Sequence, residues 1–272
     1  MRAGYATRGV TYLIVGILAL LAAWTGGQAE GTKGALAQLR EQPWGTAALW
    51  IIAVGLAAYA LWRFIDAGYD LDDHGSDGKG LAARAALVAS GIIHAFLAFS
   101  VVRLAMGRSE SEGGQSGTES MVSKLMALPL GAILVMIAGG IVVAAGLYYA
   151  WKGWSRKYEE NLACTAVTER LSPALQAGQI ARGLVVVMIG VFLFYAGYAT
   201  EPGQAGGMEE ALRTIREQAY GRVLLALVAA GLLGFSLYCF VEAIYRVVPR
   251  CADPDLPTLA GRTVSRLRAQ VS

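Results

Sequence analysis

The residues of this 272-residue chain that could do chemistry sit inside or at the ends of long apolar stretches: Arg8, Asp66, Ser90, His94, Lys152, Arg182 and Glu242. Ionisable groups in such stretches are functional-site candidates by default, because lipid tolerates them only when paired or put to use. His94 lies about ten positions into its apolar segment, roughly 15 Å along a helix axis and so near the bilayer centre. A histidine there could relay protons, ligate a metal or contact a cofactor, but the simpler expectation is a neutral imidazole hydrogen-bonded across a helix interface. His74, the other histidine, stands in the polar run Asp70-Leu71-Asp72-Asp73-His74 at a very different depth. The two cannot share a haem or a metal within one chain.

The charged residues invite pairing. If the second helix of each hairpin returns antiparallel to the first, Arg8 can meet Asp66 and Arg182 can meet Glu242, an arginine fork on a carboxylate. The simpler reading is a clasp that locks each hairpin at the membrane edge. Between these two pairs stand Ser90 and Lys152, which leaves one cation in excess. If all these positions face one cavity, that cation could attract an anionic headgroup, carboxylate or phosphate. If they face separate hairpins, Lys152 joins Arg156 and Lys157 at the lipid surface, and this is the favoured option. Convergence on one water-accessible cavity would favour transport over a structural role.

Other chemistry is not encoded. Asp70, Asp72, Asp73 and Asp77 lack the twelfth-position glutamate of a calcium loop and read as a solvated acidic turn. Cys164, Cys239 and Cys251 have no metal-ligand spacing and are expected as free thiols. No phosphate-binding glycine loop, nucleophile elbow or His-Glu-x-x-His pattern occurs, so no catalytic residue, metal or cofactor is expected. The net charge of +3 is too small and too scattered for nucleic acid.

The elements that must hold these residues follow from composition. With 56% hydrophobic and 16% charged residues, the chain has too little polar surface for a soluble globule. Six apolar segments, about 8–25, 45–66, 85–106, 127–151, 179–200 and 221–247, are long enough to span a bilayer. Trp24, Trp44, Tyr69, Trp154 and Tyr220 at their ends read as an interfacial belt. Glycines such as Gly16, Gly55, Gly139, Gly146 and Gly190 inside them predict close helix packing.

The segments repeat. Gly9, Gly91 and Gly183 coincide at spacings of 82 and 92 residues; Gly45, Gly131 and Gly221 coincide in the second helices. Trp62, Tyr148 and Tyr238 then align, as do Asp66, Lys152 and Glu242. The expected fold is therefore an all-α, polytopic membrane protein: six transmembrane helices as three tandem two-helix repeats in a pseudo-threefold arrangement. The repeats are placed at 1–78, 79–160 and 175–250, with a basic tail over 251–272. Fifteen of the 23 Lys and Arg fall on the side of both termini, which predicts cytoplasmic termini in a multi-pass plasma-membrane protein. Cleavage of the first segment as a signal peptide is not expected, since it would remove half of a repeat.

The motif Arg-Ala-Gly-Tyr-Ala-Thr-Arg-Gly-Val-Thr-Tyr-Leu at residues 2–13 resembles the bacterial membrane family catalogued as domain of unknown function 1206. Its recurring marks read here as Arg8-Gly9 with Asp66-Ala67 and Arg182-Gly183 with Glu242-Ala243. The middle repeat departs from them with Ser90-Gly91 and Lys152-Gly153. The resemblance implies a fold and a membrane location and carries no activity. The leading expectation is a non-enzymatic structural or accessory bundle that binds lipid or a membrane-protein partner. A transporter or channel using the charged positions and His94 is the alternative, and a membrane sensor a third. Arg156, Lys157, Arg262, Arg266 and Arg268 are expected to contact anionic headgroups.

Overall fold

The computed structural model describes residues 1–25, 32–108 and 117–247. The tail carrying Arg262, Arg266 and Arg268, and Cys251 with it, lies outside the described residues. Six helices are long and apolar enough to cross a membrane: α1 (Arg2–Thr25), α3 (Gly45–Tyr69), α4 (Gly78–Ala105), α6 (Gly131–Trp154), α7 (Ala166–Ala199) and α9 (Gly221–Tyr245). One short helix precedes the second span of each repeat: α2 (Thr32–Arg40), α5 (Gly117–Met126) and α8 (Met208–Arg216). The protein is an all-α polytopic membrane protein, with no strand among the described residues.

Each short helix was hidden in a connection whose polar composition reads as loop. Its anchor is an apolar side chain nine positions before the glycine that opens the following span: Leu36, Val122 and Leu212, all buried. The chain then turns so tightly that a Cβ on Gly45, Gly131 or Gly221 would stand 1.9, 2.1 or 1.7 Å from a carbonyl oxygen of the short helix. Only glycine fits there.

The first span of each repeat begins earlier than expected, and two of the three carry clear caps. Asp77 caps α4 by accepting a hydrogen bond from the Gly80 amide at 2.9 Å, and Thr165 and Thr168 form a reciprocal capping box on α7. Such caps satisfy orphan amides and let a helix continue into the aqueous side. α7 therefore starts at Ala166 and takes Pro173 inside it.

The helices do not pair chiefly as hairpins. The most extensive antiparallel contacts join the second span of one repeat to the first span of the next: α3 with α4, α6 with α7, and α9 back onto α1. Small residues recur every seventh position on both sides of these junctions. The first spans present Gly9-Gly16-Ala23, Gly91-Ala98-Ala105 and Gly183-Gly190-Gly197. The second spans present Ala53-Ala60-Ala67, Gly139-Gly146-Gly153 and Ala229-Ser236-Ala243. All eighteen are buried. In lipid, apolar burial gives no net drive between helices, so small residues that let backbones approach decide which faces meet. A Cβ on Gly146 would stand 2.6 Å from the Val187 amide, and Ser236 Oγ donates to the Gly9 carbonyl at 2.6 Å.

Within repeats the packing is unequal. α1 packs on α3 and α7 on α9, whereas α4 and α6 do not pack along their lengths. The buried residues of α4 are Gly80, Gly91, Ala98, Val101 and Ala105, and those of α6 are Gly131, Val135, Gly139, Gly146 and Gly153. These residues include the small heptads facing α3 and α7, so the spans run α4, α3, α1, α9, α7, α6 around the bundle with one unzipped seam.

Candidate intramembrane basic and aromatic site

The repeat register places equivalent side chains at equivalent depths, and the site is built from positions where the copies differ. Arg8, Ser90 and Arg182 are one such set; Tyr59, Ala145 and Phe235 are another; Arg63, Tyr149 and Cys239 a third. Around the seam, the middle repeat thus contributes Ser90 and Ala145 where the outer repeats contribute arginines and large rings.

Arg8 is 6% exposed and donates from Nη1 to the Tyr59 hydroxyl at 2.9 Å. Arg63 Nε donates to the same oxygen at 2.9 Å. The Arg8 guanidinium carbon lies 5.0 Å from the Phe235 ring centre and 5.5 Å from that of Tyr59. Arg182 leans on the same Phe235 ring at 4.7 Å and on Tyr149 at 4.1 Å. Both arginines are thus held by aromatic faces, whose quadrupoles attract a cation most strongly away from water. Among the described residues neither is paired with a carboxylate, and the Nε of each is buried without a hydrogen-bond partner.

His94 belongs to this level. Its ring lies 4.5 Å from the Tyr59 ring centre, and it is within electrostatic reach of Arg8, Arg63 and Arg182. Nδ1 is 2.7 Å from the Ser90 carbonyl oxygen. A carbonyl can only accept, so Nδ1 carries the proton and the neutral ring leaves Nε2 as an acceptor. The expected partner across a helix interface is replaced by a carbonyl one turn back on α4.

Toward the chain termini lies a second, compensated level. Arg246 bridges Glu242 on its own helix and Asp72, the latter at 2.5 Å. Asp66 is fully buried; it accepts from the Asp72 amide at 3.3 Å and stands 3.8 Å from Arg63. Lys152 reaches Glu242, Arg246, Asp72 and Arg63 electrostatically and is only partly exposed. It is half-buried, whereas Arg156 and Lys157 are exposed.

The expected hairpin clasps are therefore not formed. Asp66 and Glu242 find arginines three and four residues along their own segments, and Arg8 and Arg182 turn to rings. Local pairs win because i,i+3 and i,i+4 side chains are neighbours without any helix having to move. The acidic turn is also not simply solvated: Asp70 is 5% exposed and accepts from the His74 and Gly75 amides, and Asp72 takes Arg246. Among the described residues no group of three His, Cys, Asp or Glu could hold a metal ion, and neither Cys164 nor Cys239 is in a disulfide. Tyr59, Arg63, Tyr149, Phe235 and Arg246 were not singled out as site residues from the sequence, and Asp72 was read only as part of the acidic turn. The register that aligns Asp66 with Lys152 and Glu242 would have exposed the first four as mismatches.

The connection between the second and third repeats closes the terminal side. Leu162 bridges Arg246, with Ala163 and Val247 amides donating to Tyr245 and Asn161 carbonyls at 2.9 Å. Tyr158 donates to the Ser172 carbonyl at 3.0 Å, and burial pushes its hydroxyl up to about 12.

Against known proteins, the family described as Domain of Unknown Function (DUF1206) matches three times, at residues 3–70, 85–156 and 177–246. The chain belongs to this family. Its three matches coincide with the three repeats of the fold. The chain is also similar to "Uncharacterized protein YxxB" of Bacillus subtilis (strain 168), with 26% identity over 249 residues that cover 90% of each chain. No solved structure matches. Family and fold together establish a multi-pass helical membrane protein built from three repeats.

Proposed function

We propose that this family member is a non-enzymatic, ligand-handling protein of the plasma membrane, with cytoplasmic termini, that binds an anion between Arg8 and Arg182. The supporting observation is that Arg8, buried, and Arg182, half-buried, share the Phe235 ring while the nearby carboxylates are engaged elsewhere. A buried cation without a counter-charge is strongly disfavoured, and a bound anion relieves that penalty for both at once. Contribution of side chains from all six spans favours a ligand site over a purely structural clasp. The same convergence supports the transport reading as runner-up, with the ligand as cargo.

Thermal unfolding of the purified protein in neutral detergent tests the reading. Phosphate or anionic amphiphiles raise Tm of the wild type and leave an Arg8→Gln/Arg182→Gln double variant unmoved. Equal stabilisation of both proteins would refute the assignment. The double replacement Arg156→Gln/Lys157→Gln, on exposed residues, serves as the control for diffuse surface attraction.

A further inference from the structure

We infer that the anion is the phosphate headgroup of a membrane lipid, and that the lipid enters sideways through the seam between α4 and α6. This rests on the anion-binding reading and adds a ligand class and a route.

The seam is the place where the pseudo-threefold pattern fails. α1 packs on α3 and α7 on α9, yet α4 and α6 do not pack along their lengths although each belongs to a tightly zipped pair. The gap coincides with the smallest members of the inward-facing sets. Ser90 stands where the other repeats have Arg8 and Arg182, and Ala145 stands where they have Tyr59 and Phe235. A backbone that places two large rings and two arginines around the other copies is left with a hydroxymethyl and a methyl here. The residues beside the missing bulk are half-buried, not enclosed: His94 on α4, Tyr149 and Lys152 on α6, and Arg182 on α7. The deepest cation, Arg8, is 6% exposed with its Nε unpaired.

The chemistry selects an amphiphile over a soluble ion. The route to the arginines from the terminal side is occupied by the Arg246–Asp72–Glu242 cluster and the Leu162–Arg246 bridge. From the side, the lining is apolar or aromatic with a cationic end. Arg8 lies six residues into α1, about 9 Å along the axis, a depth that a headgroup reaches when drawn slightly below its usual level. Two guanidinium groups present paired N–H donors of the geometry that phosphate oxygens accept. His94 Nε2 adds an acceptor for a headgroup hydroxyl, and the acyl chain fills the seam beyond Ala145.

Native mass spectrometry of the full chain in detergent micelles tests this with phosphatidic acid, phosphatidylglycerol, phosphatidylcholine and inorganic phosphate as separate probes. The wild type is expected to hold the anionic lipids at least about ten-fold more tightly than phosphatidylcholine, and the Arg8→Gln/Arg182→Gln variant to lose about that factor. Ala145→Phe, which gives the middle repeat the ring its partners carry, is expected to lower lipid binding about ten-fold and change phosphate binding by less than about two-fold. Ala145→Leu serves the same purpose if the larger ring prevents folding. Unchanged lipid binding in a folded seam variant overturns lateral entry, as does a wild type that takes phosphate but no lipid; anion binding then stands. Binding of both probes that ignores Arg8 and Arg182 overturns both proposals.

Discussion

Two levels of charge, about two helical turns apart along α3 and α9, are built from the same residue types and end in opposite states. Near the termini, Arg246 is locked between Asp72 and Glu242, and Arg63 stands beside Asp66. Farther in, Arg8 and Arg182 rest on Tyr59, Tyr149 and Phe235 with no carboxylate. The first arrangement is what a bundle needs for stability, since each buried charge carries its partner. The second holds its cations on aromatic faces instead. The lesson is that charge at a membrane edge is not by itself a clasp; what decides is whether the nearest carboxylate is already taken.

The sharpest way to break the comparison is to unzip the frame that holds both levels. A Cβ on Gly183 would stand 2.5 Å from the Ala150 amide nitrogen, while one on Gly140 meets nothing within 4 Å. Gly183→Leu is expected to abolish monodisperse protein in gel filtration, a loss beyond the usual 1–3 kcal/mol of overpacking, whereas Gly140→Leu behaves as wild type. Next in size, Arg246→Gln strands two buried carboxylates and is expected to lower stability by about 3–5 kcal/mol, read as a large fall in Tm. By contrast, Arg8→Gln in ligand-free detergent removes an uncompensated charge and costs less than about 1 kcal/mol by the same measure. Equal losses for the two variants would erase the distinction between the levels.

Much of the frame was legible from residue types. The glycines that open α3, α6 and α9, the register of Arg8 with Arg182, and that of Asp66 with Lys152 and Glu242 all stand in the structure as aligned. The junction pairing was not legible from hydrophobicity, because spans that are apolar all round carry no amphipathic stripe to say which face is inside. The small-residue heptads held that information, and Gly139-Gly146-Gly153 facing Gly183-Gly190-Gly197 is its clearest instance. The partners of the carboxylates were missed for a different reason. Asp72 lies in a turn, and only the fold of that turn brings it to Arg246, while Arg63 and Arg246 look from the sequence like ordinary interfacial cations. Lys152 was expected at the lipid surface beside Arg156, but it is half-buried where Arg156 is exposed.

The smallest effect concerns the strap that closes the terminal level. Tyr158 is buried and its hydroxyl is pushed up to about 12, so the folded state favours the neutral phenol. Its contribution is complete below the ordinary tyrosine range near 10 and is lost as pH rises from there to about 12. Tyr158→Phe is expected to flatten part of the alkaline fall in Tm over that window without changing Tm at neutral pH by more than the loss of one hydrogen bond, about 1 kcal/mol.

The most direct measurement is an experimental density map of the protein in anionic-lipid nanodiscs. The account predicts phosphate-sized density within hydrogen-bonding distance of both the Arg8 and Arg182 guanidinium groups, continuous with a chain lying between α4 and α6. A map with Arg8 on Asp66, Arg182 on Glu242 and α4 packed closed against α6 would contradict it.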